Sequence, residues 1–276
     1  MDLSDLLKLY TEGHRDFANA DLSGADLSGI TLNGVNLSGA KLMGANLSRT
    51  VMIKSDLSRA NLNWANLSFA KMSAVKLGDA DLTKANLQGA VMEKAKLPRA
   101  KLSGANLNSA NLRGANLREA NLSSASLQRA NLREANLSGV NLNWANLYEA
   151  RLSGALLSGA SLNGVKFSRA FLKDVDLNGA DLQGINFSEA RLGGSNLESA
   201  NLVGADLSDA HLYQVNLTAA DLSGANLIRA SLEQANLTWI NLSKANLCQA
   251  NLTNAILKGA NLDGADLTDA ILPIEI

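Results

Sequence analysis

Residues 103–124 read SGANLNSANLRGANLREANLSS. Leu107, Leu112, Leu117 and Leu122 fall five apart, each with Ala two positions earlier and Asn between. Extended both ways, this register runs unbroken from Phe17 to Leu272 as 52 pentads. The central residue is Leu except at Phe17, Met52, Met72, Met92, Phe167 and Phe187. Ala stands two before it in 39 of the 52, and Asn or Asp stands between in 33. Repetition of this kind governs the fold before any local propensity does. A helix keeps one face every 3.6 residues and a strand every 2, so neither can bury a period of five.

Ala and Leu, two apart, do share one side of a short extended segment. The face is kept if the chain turns a corner within each pentad, at the two residues after Leu. Those residues are often Ser-Gly, as at Ser23-Gly24, Ser38-Gly39 and Ser103-Gly104, which is turn chemistry. Four such corners close a square coil, and stacked coils bond backbone to backbone around a column of Leu and Ala. On this register Met52, Met72 and Met92 form one inward ladder and Phe167 and Phe187 stack on another. The flexible Met side chains fill space beside the altered neighbours Thr50 and Ser55.

The tandem A-(D/N)-L-S-G motifs resemble the pentapeptide-repeat family over residues 15–272. The resemblance implies an all-β fold, a right-handed quadrilateral β-helix with four pentads per coil, Leu and Ala inward and Asn/Asp outward. The chain then holds about 13 coils, a rod roughly 60 Å long at a strand spacing of about 4.8 Å. Three parts are expected: an N-terminal capping helix in residues 1–14, a single β-helix over 15–272, and a C-terminal tail at 273–276. Leu3, Leu6, Leu7 and Tyr10 lie at helical spacing, Asp2 or Ser4 can cap the start, and Gly13 can stop the helix. The chain finishes ILPIEI. Its apolar Ile271, Leu272, Ile274 and Ile276 call for cover on the last coil, either by the tail itself or by a second molecule in a two-fold homodimer.

Composition narrows function. The 276 residues carry 25 Lys+Arg and 26 Asp+Glu, a net charge of −1, which removes a global basic signature of nucleic-acid binding and a strongly acidic one alike. One cysteine, Cys248, excludes an internal disulfide framework and is expected to be an exposed thiol. Two histidines, His14 and His211, 197 residues apart, leave almost nothing for a catalytic or metal centre. No catalytic, cofactor-binding or metal-ligating residues are assigned, and no cofactor is expected. The opening MDLSDLLKLYTEG lacks a basic leader and a long apolar run, so a cytoplasmic protein without a membrane span is expected.

In steps of twenty each face of the coil becomes a column. The outward position is Asn or Asp in most coils on the columns from Asp16, Asp21 and Asp26, but in only 3 of 13 on the column from Thr31. That face carries Lys54, Lys71, Lys94, Arg113, Arg133, Arg151, Lys173 and Arg191 on eight successive coils, against Glu93, Glu134, Asp174 and Glu233. Two readings stand: a solvated face kept soluble by its bases, or a flat binding face. On the second, the candidate partner-binding residues are Lys71, Lys94, Arg113, Arg133, Arg151, Phe171, Lys173, Arg191, His211 and Tyr213. NLNWANL occurs at 61–67 and 141–147, which puts Trp64 and Trp144 on one face as a duplicated stretch or as a secondary pair of anchors. Charge is also polarised, with 19 basic and 7 acidic residues over 41–173 but 4 and 13 over 174–276.

The function read from this is a non-enzymatic scaffold that binds a protein partner whose identity is not in the sequence. LLKLYTEGHRDFANADLSGADLSG, residues 6–29, is similar to the starts of cyanobacterial pentapeptide proteins, a group that includes a regulator of heterocyst differentiation. That similarity implies a regulatory role. The resemblance also implies an alternative, mimicry of DNA toward an enzyme such as gyrase, from which the near-zero net charge departs. Direct binding of an anionic polymer by the basic face is a further alternative, although the overall charge disfavours nucleic acid.

Overall fold

The computed structural model describes residues 3–274; Asp2, offered above as a helix cap, and Ile276 of the apolar tail lie outside the described residues. The outward residue before each central Leu pairs in parallel with the one twenty further on, as in Asp21 with Lys41, Asn61 with Asp81 and Asn226 with Asn246. Four pentads therefore make one turn of the spiral, and each pentad is one side of a square. A rung consists of two bonds: Leu22 N donates to Lys41 O at 2.8 Å, and Lys41 N donates to Ala20 O at 2.9 Å. The corner closes where Ala25 N donates to Leu22 O at 3.1 Å. With Gly24 at φ +66 this is a type II turn.

The second corner residue is left-handed at all 51 corners from Asn19 to Asp269, yet glycine holds only 19 of them. The Ser-Gly reading of the corners was thus too narrow. Arg, Lys, Glu and Trp sit there at a cost of about 1–2 kcal/mol each. The coil above holds them in place, since every corner amide from Asn19 to Gln249 except those of Gly154, Gly159 and Gly164 is tied upward, as Trp64 N is to Thr83 O at 3.1 Å. What repeats is a backbone conformation, not a glycine.

Leu and Ala fill the interior as expected, and Met52, Met72 and Met92 are fully buried in one ladder. Phe167 and Phe187 stack with centroids 5.2 Å apart and planes 2° apart. Thr50, Ser55 and Ser195 replace inward Ala and stay buried because each hydroxyl donates to a carbonyl, of Leu47, Leu32 and Leu172 respectively.

Helix α1 spans Leu3–Thr11. Leu6 is fully buried in the rod's core, with Leu7, Leu9 and Tyr10 packed against it. Gly13, at φ +96, turns the chain out of the helix. Among the described residues the last coil is less covered: Leu262 and Leu267 are only half-buried and Leu272 is exposed. Pro273 lies against a hollow made by residues 254–260, and Ile274 is 96% exposed.

One storey breaks the rule. Among the described residues Leu156 does not pair with Asp176 nor Ser161 with Asp181, and no backbone bond joins Leu157 to Asp176 or Leu162 to Asp181. A gap of about 380 Å³ opens there between Leu157, Ser158 and Leu162 on one side and Asp176, Leu177 and Asp181 on the other. On the remaining two faces the ladder continues, through Arg151 with Phe171 and Lys166 with Asn186. The sequence explains the location. Elsewhere Asn or Asp caps its own corner, as when Ser38 N donates to Asn36 Oδ1 at 3.0 Å, and links coils, as when Asn46 Nδ2 donates to Asp26 Oδ1 at 2.9 Å. Five successive pentads lack it: Arg151, Leu156, Ser161, Lys166 and Phe171.

Candidate partner-binding face

The Thr31 face and the corner before it carry two columns of outward side chains at the level of this break. Between them runs a groove of about 960 Å³. One wall is the left-handed corner column Arg129, Glu149, Arg169, Glu189, Asp209 and Arg229; the other is Asn131, Arg151, Phe171, Arg191, His211 and Ser231. The face expected to be flat is concave here.

The corner column neutralises itself coil by coil. Arg129 Nε meets Glu149 Oε2 at 2.6 Å, and Arg169 grips Glu189 with two bonds of 2.9 Å. Arg229 grips Asp209 with two of 2.7 Å. Glu189, and after it the Tyr148 hydroxyl, hold the Arg169 guanidinium well above its ordinary value. Arg229 pulls Asp209 below the usual carboxylate range. Surface pairs like these add little to stability, but they settle which cations are already used.

The second column is different. Arg151 and Arg191 lie on either side of Phe171, 5.8 and 4.8 Å from its ring centroid. Among the described residues neither guanidinium has a carboxylate within 4.0 Å or a side-chain hydrogen bond.

Of the candidates read from sequence, the groove gathers Arg151, Phe171, Arg191 and His211. The others lie outside it. Lys71 and Lys94 stand nearer the N-terminal end of the same face. Arg113 is bound to Glu134 at 2.7 Å, Arg133 to Asn131 Oδ1 at 3.1 Å, and Lys173 lies 3.8 Å from Asp174. The Tyr213 hydroxyl donates to Gln234 Oε1 at 3.1 Å. Trp64 and Trp144 are 63% and 69% exposed, but each has a partner in the next coil. Lys84 Nζ sits 4.5 Å over the Trp64 ring, and Trp144 lies so flat on Gly164 that a Cβ there would come within 2.3 Å of it. Trp239 uses Gly259 in the same way. Sequence reading missed the corner column. Its signal was the alternation of charge at intervals of twenty, Arg129, Glu149, Arg169, Glu189, in a position treated only as a turn.

Among the described residues no group of three or more His, Cys, Asp or Glu converges as a metal site, and no helix is long and apolar enough to cross a membrane. Cys248 is half-buried, not the exposed thiol expected, because its Sγ donates to Asp266 Oδ2 at 3.0 Å. That bond raises the thiol, while Thr268 and Cys248 together pull Asp266 from 3.8 down to about 2. A depressed carboxylate stabilises above its unfolded range and loses that contribution as pH falls through its folded value. Thermal midpoints should therefore drop between about pH 4 and pH 2 in the native chain, with a shallower drop in Asp266→Asn. The same substitution should speed alkylation of Cys248 at neutral pH. Equal slopes and equal alkylation rates would refute the coupling.

The architecture defines the class of protein, a β-solenoid of five-residue repeats that carries a basic groove on one face. The Pentapeptide repeats family model matches in eight copies between residues 16 and 272, and the chain belongs to the pentapeptide-repeat family, whose fold is the right-handed quadrilateral β-helix. It is 33% identical to HetL, a pentapeptide repeat protein involved in heterocyst differentiation regulation from the cyanobacterium Nostoc sp. strain PCC 7120. That match covers 100% of this chain and 99% of HetL, with a TM-score of 0.39. Rfr23 from the cyanobacterium Cyanothece 51142 is 30% identical over 38% of this chain and 84% of its own, with a TM-score of 0.37. QnrB1, a plasmid-mediated fluoroquinolone resistance protein, is 16% identical over 87% and 90%, with a TM-score of 0.29. No curated protein sequence matches the chain.

Proposed function

We propose that the chain is a non-enzymatic regulatory scaffold: a cytoplasmic rod of about 13 coils, lidded by α1, that binds a protein partner on its Thr31 face. The observation that carries this reading is the Arg151–Phe171–Arg191 ladder. Two guanidinium groups without carboxylates flank an aromatic ring on a surface where the neighbouring arginines are neutralised internally. Arg and aromatic side chains are enriched at binding hot spots. The regulatory part of the reading is taken from the likeness to HetL. Five arginines in the groove run against the alternative of DNA mimicry, which needs an acidic surface.

The test is a photoreactive residue placed at Phe171 or at Trp64 in the full chain, in native cell extract. An adduct formed at Phe171 and lost in Arg151→Gln/Arg191→Gln supports the reading. An adduct formed only at Trp64 moves the interface to the tryptophan face, and none at either position removes the proposal.

The open last coil is a second contact surface in this reading, one that pairs two chains end to end through Leu262, Leu267 and Leu272. Sedimentation should show a dimer that Leu272→Arg dissociates; monomer alone in the native chain at high concentration and high salt would rule it out.

A further inference from the structure

The groove lies where the missing rungs would put a concavity. Around the square the faces run Asp16, Asp21, Asp26, Thr31. The gap beside Leu157 and Leu162 is on the Asp16 and Asp21 faces, so the corner between the Asp26 and Thr31 faces is diagonal to it. Coils that part on one side and stay bonded on the other lean toward the bonded corner. Arg151, Phe171 and Arg191 stand beside that corner, on the side where the ladder stays bonded.

Resting on the protein-binding reading, we infer that this groove receives an acidic helix of the partner, with carboxylates at positions i and i+7 and an apolar side chain at i+3 or i+4. Three observations lead there. First, Arg151 and Arg191 are two coils apart, about 10 Å at β-ladder spacing. Seven residues of helix rise about 10.5 Å and return to the same face, with i+3 and i+4 between them. An extended strand covers the same length in three residues but points the first and last to opposite sides. Second, Phe171 occupies the midpoint, where the apolar residue of the helix falls, while its two flanking guanidinium groups remain available for bidentate pairing with carboxylates. Third, Glu149, Glu189 and Asp209 line the opposite wall. Each is paired with an arginine of the same column, so that wall carries no net charge to hold a continuous polyanion such as a nucleic acid, but it can meet polar residues on the flank of a helix.

The probe is a labelled, Ala-rich helical peptide of about 20 residues with Glu at i and i+7 and Leu at i+4, long enough to hold its helix in water. Fluorescence anisotropy with the full chain should show saturable binding that weakens with salt. Arg151→Gln and Arg191→Gln should each weaken it about tenfold, as expected for loss of a charge-assisted bond, and Phe171→Ala should act similarly. Arg113→Gln, whose partner Glu134 stands outside the groove, should leave binding within about twofold. Moving the second Glu from i+7 to i+5 carries it to the other side of the helix and should remove binding. All of these side chains point outward, and an unchanged circular dichroism spectrum certifies the fold.

Equal binding of the i+7 and i+5 peptides, or equal competition by single-stranded DNA of the same charge, would overturn the helical assignment in favour of charge alone. No peptide binding, together with a surviving adduct at Phe171, would overturn the acidic helix and leave the protein-binding reading standing. Loss of both removes the two together.

Discussion

Phe187→Ala should lower the unfolding free energy by about 3–5 kcal/mol, the range for emptying a fully buried aromatic site. The ring is inaccessible to solvent and lies on Phe167 with planes 2° apart, so truncation both opens a cavity and unstacks its neighbour. Collapse cannot heal this easily, because the ladder fixes the coil height on every side that remains bonded. In a solenoid each coil touches only its neighbours, so the loss should stay local. Hydrogen exchange should accelerate mainly around residues 165–190, while urea unfolding reports the free energy. Met72→Leu, a volume-conserving change in an equally buried ladder, should cost less than about 1.5 kcal/mol. Similar losses for the two variants would show that the stacked pair has no special place in the core.

The second large effect compares two prolines. Asp221 and Asp181 occupy the same column two coils apart and play the same side-chain roles. Asp221 caps Ser223 N and accepts from Asn241 Nδ2; Asp181 caps Gln183 N and accepts from Asn201 Nδ2. They differ in the backbone: Asp221 N donates to Ala200 O at 3.0 Å, while Asp181 N has no rung because it borders the gap. Asp221→Pro deletes a ladder bond and leaves the Ala200 carbonyl without its donor, at a cost of about 1–3 kcal/mol. Both substitutions lose the same side-chain bonds, but Asp181→Pro deletes no backbone bond and meets open space, so it should cost about 1–2 kcal/mol less than its counterpart. Thermal unfolding of the pair decides the matter. Equal destabilisation would mean that the rungs beside Leu157 and Leu162 are made in solution.

How much of this was legible can be seen at particular residues. Leu107 and Ala105 fixed themselves inward because a five-residue period leaves one way to bury them. The Met52, Met72 and Met92 ladder followed from the same arithmetic. The corners were half legible: Ser-Gly marked the turn, but Arg129 and Trp144 adopt the same left-handed backbone, which only the stacked coils enforce. At the candidate site Arg151, Phe171, Arg191 and His211 were legible as departures from Asn or Asp on one column. Their neighbours in the groove, such as Arg169 and Glu189, were hidden in a position read as a turn.

Register, inward face and the divergent column are properties of spacing, and the sequence determines them alone because a periodic chain can satisfy its backbone in only one stacked form. Which arginines remain available was decided by the tertiary structure. Arg113 and Arg151 look alike in the sequence, but Arg113 has Glu134 within 2.7 Å and Arg151 has an aromatic ring instead. The break in the ladder was decided there too. The rungs missing at Leu157 and Leu162 would have joined each to a residue nineteen further on, and a broken contact between distant segments has no representation in the local pattern of either.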